Sequence, residues 1–256
     1  MTHIISISNH KGGVGKTTST QNIGVGLSKS GKKVLLVDLD PQANLSDAFG
    51  YDQVEISIYD ALLGKQDLPI IELTGNLHLV PSNIDLSVAE PELTAKTGRE
   101  YKLKEILEEI KDNYDYILID CPPSLGLLTV NAFTASTEIY IPIDGEYFAL
   151  KGLDKLIMVI NEVKKVINPN IEITGAFVTR FDKRLIINRT TEELLKEYFP
   201  NRVFKTQIRK NVSLVEAPAN NQSIYTYSPE STGAEDYKAL VEEIIATHEP
   251  AIHAYE

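Results

Sequence analysis

The sequence predicts an α/β fold, a mostly parallel twisted sheet with helices on both faces. Three observations carry that prediction. Short apolar runs of strand length alternate with longer segments of helical period. The runs are continuously apolar rather than alternating, as strands covered on both sides are. The chain has 256 residues, 43% of them hydrophobic, which is enough for a sizeable core and excludes disorder as a class.

The elements follow in order. Ile4 to Ser8 is a short apolar run and the first strand. A glycine cluster comes next, then a helix over Lys16 to Ser30 with Ile23, Val25 and Leu27 as its apolar positions. Val34 to Val37 and Leu77 to Val80 are the second and third strands. Leu103 to Ile110 reads as an amphipathic helix and Tyr116 to Ile119 as the fourth strand. Ile139 to Ile143 is the fifth, followed by a long helix from about Phe148 to Val166. Ile171 to Val178 is the sixth strand, Thr190 to Tyr198 a helix, and Asp236 to Ala246 a closing helix. The polar stretch Ala217 to Gly233 reads as the longest loop, too near the end to divide two domains. With no repeat, low-complexity segment or Gly/Ser linker, the expectation is one domain over residues 1–256.

Composition narrows the function classes. The single cysteine, Cys121, excludes a disulfide framework and any zinc or iron–sulfur site that needs two cysteines from one chain. A net charge of −11 argues against a constitutive nucleic-acid binder, though not against a local basic patch. No run of about 18 apolar residues suggests a membrane span. The start, Met1 to Ile5, lacks a basic segment followed by a long apolar core. The expected location is therefore the cytoplasm.

The strongest signal is Asn9-His10-Lys11-Gly12-Gly13-Val14-Gly15-Lys16-Thr17-Thr18, between the first strand and the first helix. Small residues let a loop fold so that successive N–H groups point at phosphate oxygens, and the helix N-terminus adds partial positive charge. Lys16 would reach the β- and γ-phosphates of a nucleotide, and Thr17 would hold Mg²⁺, with Thr18 near the α-phosphate. The fold class thus becomes a P-loop NTPase. The usual pattern has a glycine five residues before the Gly-Lys pair, where this chain has His10. In its place stands a second lysine, Lys11, directly before the glycines.

Two apolar strands end in carboxylates. Val34-Leu35-Leu36-Val37 runs into Asp38-Leu39-Asp40-Pro41-Gln42, and alternation lets Asp38 and Asp40 point the same way. Tyr116-Ile117-Leu118-Ile119 runs into Asp120-Cys121-Pro122-Pro123. One carboxylate near Mg²⁺ and another near an attacking water would suit phosphoryl transfer to water. Cys121 reads as a packing residue, because a neighbouring carboxylate raises a thiol pKa.

The loop Lys11 to Thr18 resembles the deviant Walker A motif of the ParA/MinD superfamily of ATPases. The Asp38 to Gln42 segment resembles that family's Walker A′ motif, and Tyr116 to Asp120 its Walker B. Together with Val80-Pro81-Ser82-Asn83, Ile141-Pro142-Ile143, Phe148 to Leu153, Asn211-Val212, Glu216-Ala217-Pro218 and Gly233-Ala234, the chain is similar over nearly its whole length to the small ParA/Soj partitioning proteins. The resemblance implies that ATP closes a homodimer with Lys11 reaching the other subunit's nucleotide. It implies catalytic roles for Lys11, Lys16 and Asp40, nucleotide contacts from Lys11 through Thr18, and Mg²⁺ beside Thr17, Asp38 and Asp120. A ParB-like partner, a nucleoid-associated ATP state and no N-terminal helix-turn-helix domain are implied with it.

The same resemblance implies that the ATP dimer binds double-stranded DNA without sequence preference through basic residues of the C-terminal third. The candidates are Lys183, Arg184, Arg189, Lys205, Arg209 and Lys210. Arg209 stands where the family commonly has proline, and Ser213 where it commonly has a second arginine. A MinD-like membrane ATPase would need a basic amphipathic tail, whereas Leu240 to Glu249 is acidic. A small-molecule ligase resembling dethiobiotin synthetase, and a positioning ATPase for a cargo other than DNA, remain as rivals on this fold.

Overall fold

A computed structural model describes residues 2–145 and 152–249 of the chain, apart from the side chains of residues 186–190 and 192. In chain order the first half contains β1 (His3–Ile7), α1 (Lys16–Lys29), β2 (Val34–Asp38), α2 (Asn44–Asp47), α3 (Ile58–Leu62), β3 (Ile71–Thr74), β4 (Leu77–Val80), α4 (Ala89–Thr94) and α5 (Lys102–Glu108). The second half contains β5 (Tyr116–Asp120), α6 (Leu127–Ala135), β6 (Glu138–Asp144), α7 (Leu153–Val166), β7 (Glu172–Thr179), α8 (Ile186–Tyr198), α9 (Ser213–Ala219), α10 (Ile224–Tyr227) and α11 (Thr232–His248).

The strands form one seven-stranded sheet in the order β3-β4-β2-β5-β1-β6-β7. Every pairing is parallel except β3 with β4 at one edge. Alternation along the strands splits the core into two layers. Leu35, Val37, Ile117 and Ile119 face one layer with helices α3 to α8. Val34, Leu36, Tyr116 and Leu118 face the other with α1, α10 and α11. The central strands are buried on both sides, which is why they read as unbroken apolar runs. Helix α1 lies close against β2 at Gly24, where a Cβ would come within 2.4 Å of the Leu36 side chain.

The expected α/β architecture is present, with differences in detail. Several elements were not read from the sequence, among them the short helices α2, α3 and α4, strand β3 and helix α6. Strand β3 has only four residues and half-exposed alternation at the sheet edge. Helix α6 buries seven of its nine residues, so it has no polar face to mark a helical period. The stretch Ala217 to Gly233, expected as loop, instead holds the end of α9, all of α10 and the first residues of α11. Helix α11 starts earlier than Asp236 because the Ser231 hydroxyl accepts a hydrogen bond from the N–H of Ala234 at 3.3 Å and caps it. Helix α8 likewise begins before Thr190, at Ile186. The expected start of the helix at Phe148 lies outside the described residues, and its described part runs from Leu153.

Candidate functional site

Parallel pairing brings the C-terminal ends of several strands to one edge of the sheet. Ile7 and Asp38 both register with Asp120, and Asp144 registers with Thr179. Residues that lie more than a hundred positions apart thereby meet at one crevice, where open α/β sheets bind ligands.

The loop between β1 and α1 is fixed from behind. The Asn9 side chain accepts from the N–H of Lys11 at 3.0 Å and donates to the Pro142 carbonyl at 2.9 Å. The Thr179 hydroxyl donates to the Val14 carbonyl at 2.8 Å. The Val14 side chain is buried, so toward a ligand this residue offers only backbone. Gly13 and Gly15 have φ of 73° and 87°, a region that favours glycine, and Gly15 stands at the N-cap position of α1. Lys16 is buried, and its ammonium reaches back across the loop to the Lys11 carbonyl at 3.5 Å.

The acidic strand ends lie beside this loop. The Thr17 hydroxyl donates to Asp120 Oδ2 at 2.7 Å, and the Thr20 hydroxyl lies 3.4 Å from Oδ1. Asp38 accepts from the backbone N–H and the hydroxyl of Ser46 at 2.8 and 2.7 Å, and from the N–H of Asp40 at 3.2 Å. Asp38 therefore braces the turn that carries Asp40. Burial raises the pKa of both Asp38 and Asp120, and the charge of Asp38 raises Asp120 further. Two buried carboxylates and a hydroxyl make an all-oxygen donor set, which fits a hard cation such as Mg²⁺. Burial pushes the Cys121 thiol up to about 12, which suits a packing residue.

Asp40 lines a cavity of about 570 Å³ together with Gly12, Gly13, Gly15, Lys16, Thr17 and Thr18. That volume suits a small-molecule ligand. A second hollow of about 470 Å³ shares Gly13, Gly15 and Thr18 and is walled by Thr179, Arg180, Ile208, Asn211 and Val212. Lys11 does not line the first cavity. Its ammonium lies 4.0 Å from Asp144 Oδ2, the oxygen that also takes Arg180 at 3.1 Å. Ser46, Thr20, Asp144, Thr179 and Arg180 were not singled out from the sequence, and Ser82 only within the Val80 to Asn83 resemblance. Each is a single polar residue whose partner is met only in the folded chain, as Ser46 meets Asp38 and Thr179 meets Val14.

The basic candidates divide. Lys183, Arg184, Arg209 and Lys210 border one surface hollow. The Arg184 side chain is 83% exposed and holds Asp182 through Nη2 at 2.6 Å. The Arg209 guanidinium is engaged by Asp236 at 2.7 Å and Glu235 at 2.9 Å. Lys205 lies outside this hollow, with its N–H donated to Glu243 on α11 at 2.8 Å. The Arg189 side chain lies outside the described residues.

A family model described as an AAA domain matches residues 2–173. The sporulation initiation inhibitor protein Soj of Bacillus subtilis is 45% identical over 251 residues, covering 96% of this chain and 99% of that protein. The chromosome-partitioning ATPase Soj of Treponema pallidum is 44% identical, with 93% and 95% covered. Among solved structures, cobyrinic acid a,c-diamide synthase of Mycobacterium smegmatis, with bound ATP analogue and magnesium, matches with a TM-score of 0.86. Its identity is 31%, over 98% of this chain and 97% of that one. No helix among the described residues is long and apolar enough to cross a membrane.

Proposed function

Because the chain belongs to the Soj/ParA family of chromosome-partitioning ATPases, we propose that it is an ATP-driven dimerisation switch that holds DNA only while ATP joins two copies. The observation that carries this reading is the pair of lysines on the phosphate loop. Lys16 lies over its own loop and within the cavity, while Lys11 is turned to its outer side beside Asp144.

In this mechanism the N–H groups of residues 12–17 and the Lys16 ammonium bind the β- and γ-phosphates of ATP. Thr17 and Asp120 would hold Mg²⁺, with Asp38 behind them; when bound, that ion neutralises charge on the phosphate oxygens. Asp40 orients the water whose oxygen bonds to the γ-phosphorus while the bond to the bridging β–γ oxygen breaks. ADP, phosphate and one proton leave. The partner's Lys11 swings from Asp144 to the phosphates and adds positive charge where the leaving oxygen gains negative charge. Positive charge supplied across the interface makes hydrolysis depend on dimer formation.

Two copies side by side double the basic face formed by Lys183, Arg184 and Lys210, with Arg209 behind it and Arg189 and Lys205 as outlying candidates. Each neutralised phosphate adds a salt-dependent increment, so a face too weak in one copy holds duplex DNA in two. A ParB-like partner that speeds hydrolysis would then release the DNA. The ATP state would be associated with the nucleoid in the cytoplasm. The likeness to a diamide synthase supports a second reading, a small-molecule ligase on the same fold. Lys11→Ala separates the two: the switch predicts an ATP-dependent dimer in the wild type that this variant weakens, read by light scattering. A wild type that stays monomeric with ATP contradicts the switch.

A further inference from the structure

We propose that His3, Glu138 and His248 form a binding site for one zinc-like transition-metal ion, at the edge of the sheet opposite the nucleotide cavity. His3 opens β1, Glu138 opens β6, and His248 closes α11. The phosphate loop and Asp144 leave the other ends of β1 and β6, so the cluster is remote from the reaction already described. One ligand atom from each of the three side chains lies within 4.8 Å of the others.

The donors already converge. His3 Nδ1 lies 2.7 Å from Glu138 Oε1, and His248 Nε2 lies 3.0 Å from Oε2. A second layer orients them. The Tyr116 hydroxyl lies 3.1 Å from the other nitrogen of His248, and the Thr174 hydroxyl donates to Glu138 Oε2 at 2.8 Å. Metal-ligating histidines typically have this kind of outer partner. Two imidazoles and one carboxylate match a zinc donor set with an open position, whereas Mg²⁺ prefers oxygen.

The His3 and His248 rings stack with centroids 3.7 Å apart and planes 16° from parallel. Imidazole lone pairs lie in the ring plane, so one ring must turn for both to meet one ion. His3 is the ring with room, at 27% side-chain exposure against 6% for His248. With both rings neutral, each proton that faces the carboxylate moves to the other nitrogen of its ring. Nδ1–H of His248 then donates to the Tyr116 oxygen. The bound ion ties the last residue of α11 to the first residues of β1 and β6. Helix α11 also bonds to α1, through Tyr237 and Ser19 at 3.0 Å.

The test uses the untagged full chain without nucleotide and with excess Mg²⁺. Zn²⁺ is titrated against a chromophoric chelator, and Co²⁺ is added separately to read its visible absorption. The expected result is one equivalent bound and a Co²⁺ spectrum of low coordination number. Both are lost in His3→Gln and His248→Gln and kept in His78→Gln, while Tyr116→Phe weakens affinity by about tenfold or more. The Co²⁺ spectrum is read on the wild type, so a poorly folded variant does not decide the matter. No stoichiometric binding by the wild type, or undiminished binding by His3→Gln, overturns the site.

Discussion

Lys16 is buried with its ammonium aimed over its own loop, so its loss leaves the phosphate charges uncompensated. Lys16→Ala is predicted to abolish nucleotide binding in a fluorescent-nucleotide titration, and ordinary ATP affinity in that variant would sink the loop's assignment. Asp40 lines the same cavity, and its Oδ1 accepts from the N–H of Gln42 at 3.0 Å. Asp40→Ala is predicted to form the ATP dimer yet release no phosphate; a variant that hydrolyses at the wild-type rate refutes the role. Ser46 donates its hydroxyl to Asp38 and accepts from the N–H of Ser82 at 2.9 Å, all buried. Ser46→Ala is predicted to cost about 1–3 kcal/mol in urea unfolding, since it strips a buried carboxylate and a buried N–H of one partner each. The lysines, Thr17 and the three aspartates were legible because their chemistry is written in consecutive residues at strand ends. Ser46 was not, because its meaning lies in a contact eight residues away that only the folded turn creates.

Element by element, strands buried on both faces were easy to find, since an unbroken run such as Val34 to Val37 has few other uses. Helix α6 was hidden by the same property that makes it stable, being covered nearly all round. Its ends are stitched by distant side chains. Glu90 Oε1 accepts from the N–H of Leu128 at 3.0 Å at its start. The Asn168 amide donates to the carbonyls of Phe133 and Ser136 at 2.9 and 2.7 Å at its end. No local signal in residues 127–135 announces either cap. Asn168→Ala is predicted to destabilise the fold by about 1–3 kcal/mol, because it leaves buried carbonyls unsatisfied. An unfolding midpoint unchanged from wild type would show that these bonds add nothing. The stretch Ala217 to Gly233 was misread for a related reason. Its short helices α9 and α10 are too brief for a period to emerge.

For the whole molecule, the proposed function asks how a chain of net charge −11 would hold a polyanion. Lys183, Arg184 and Lys210 gather on one face although they come from two segments of the chain. Arg209 is a poor target, because Arg209→Glu would set a third carboxylate against Glu235 and Asp236. Arg184, exposed and paired only with Asp182 among the ion pairs described, is the better one. The clustering of these residues was not legible in the sequence, which gave six basic positions with no means of telling which share a face. The most direct test is binding of the wild type and Arg184→Glu to arbitrary duplex DNA with ATP, ADP or no nucleotide, across a salt titration. Binding is expected only with ATP, with a steep fall with salt, and Arg184→Glu is expected to bind more weakly with a shallower salt slope while its ATP dimer persists. Binding that is equal in all nucleotide states, or absent while the ATP dimer is intact, would contradict the proposed function.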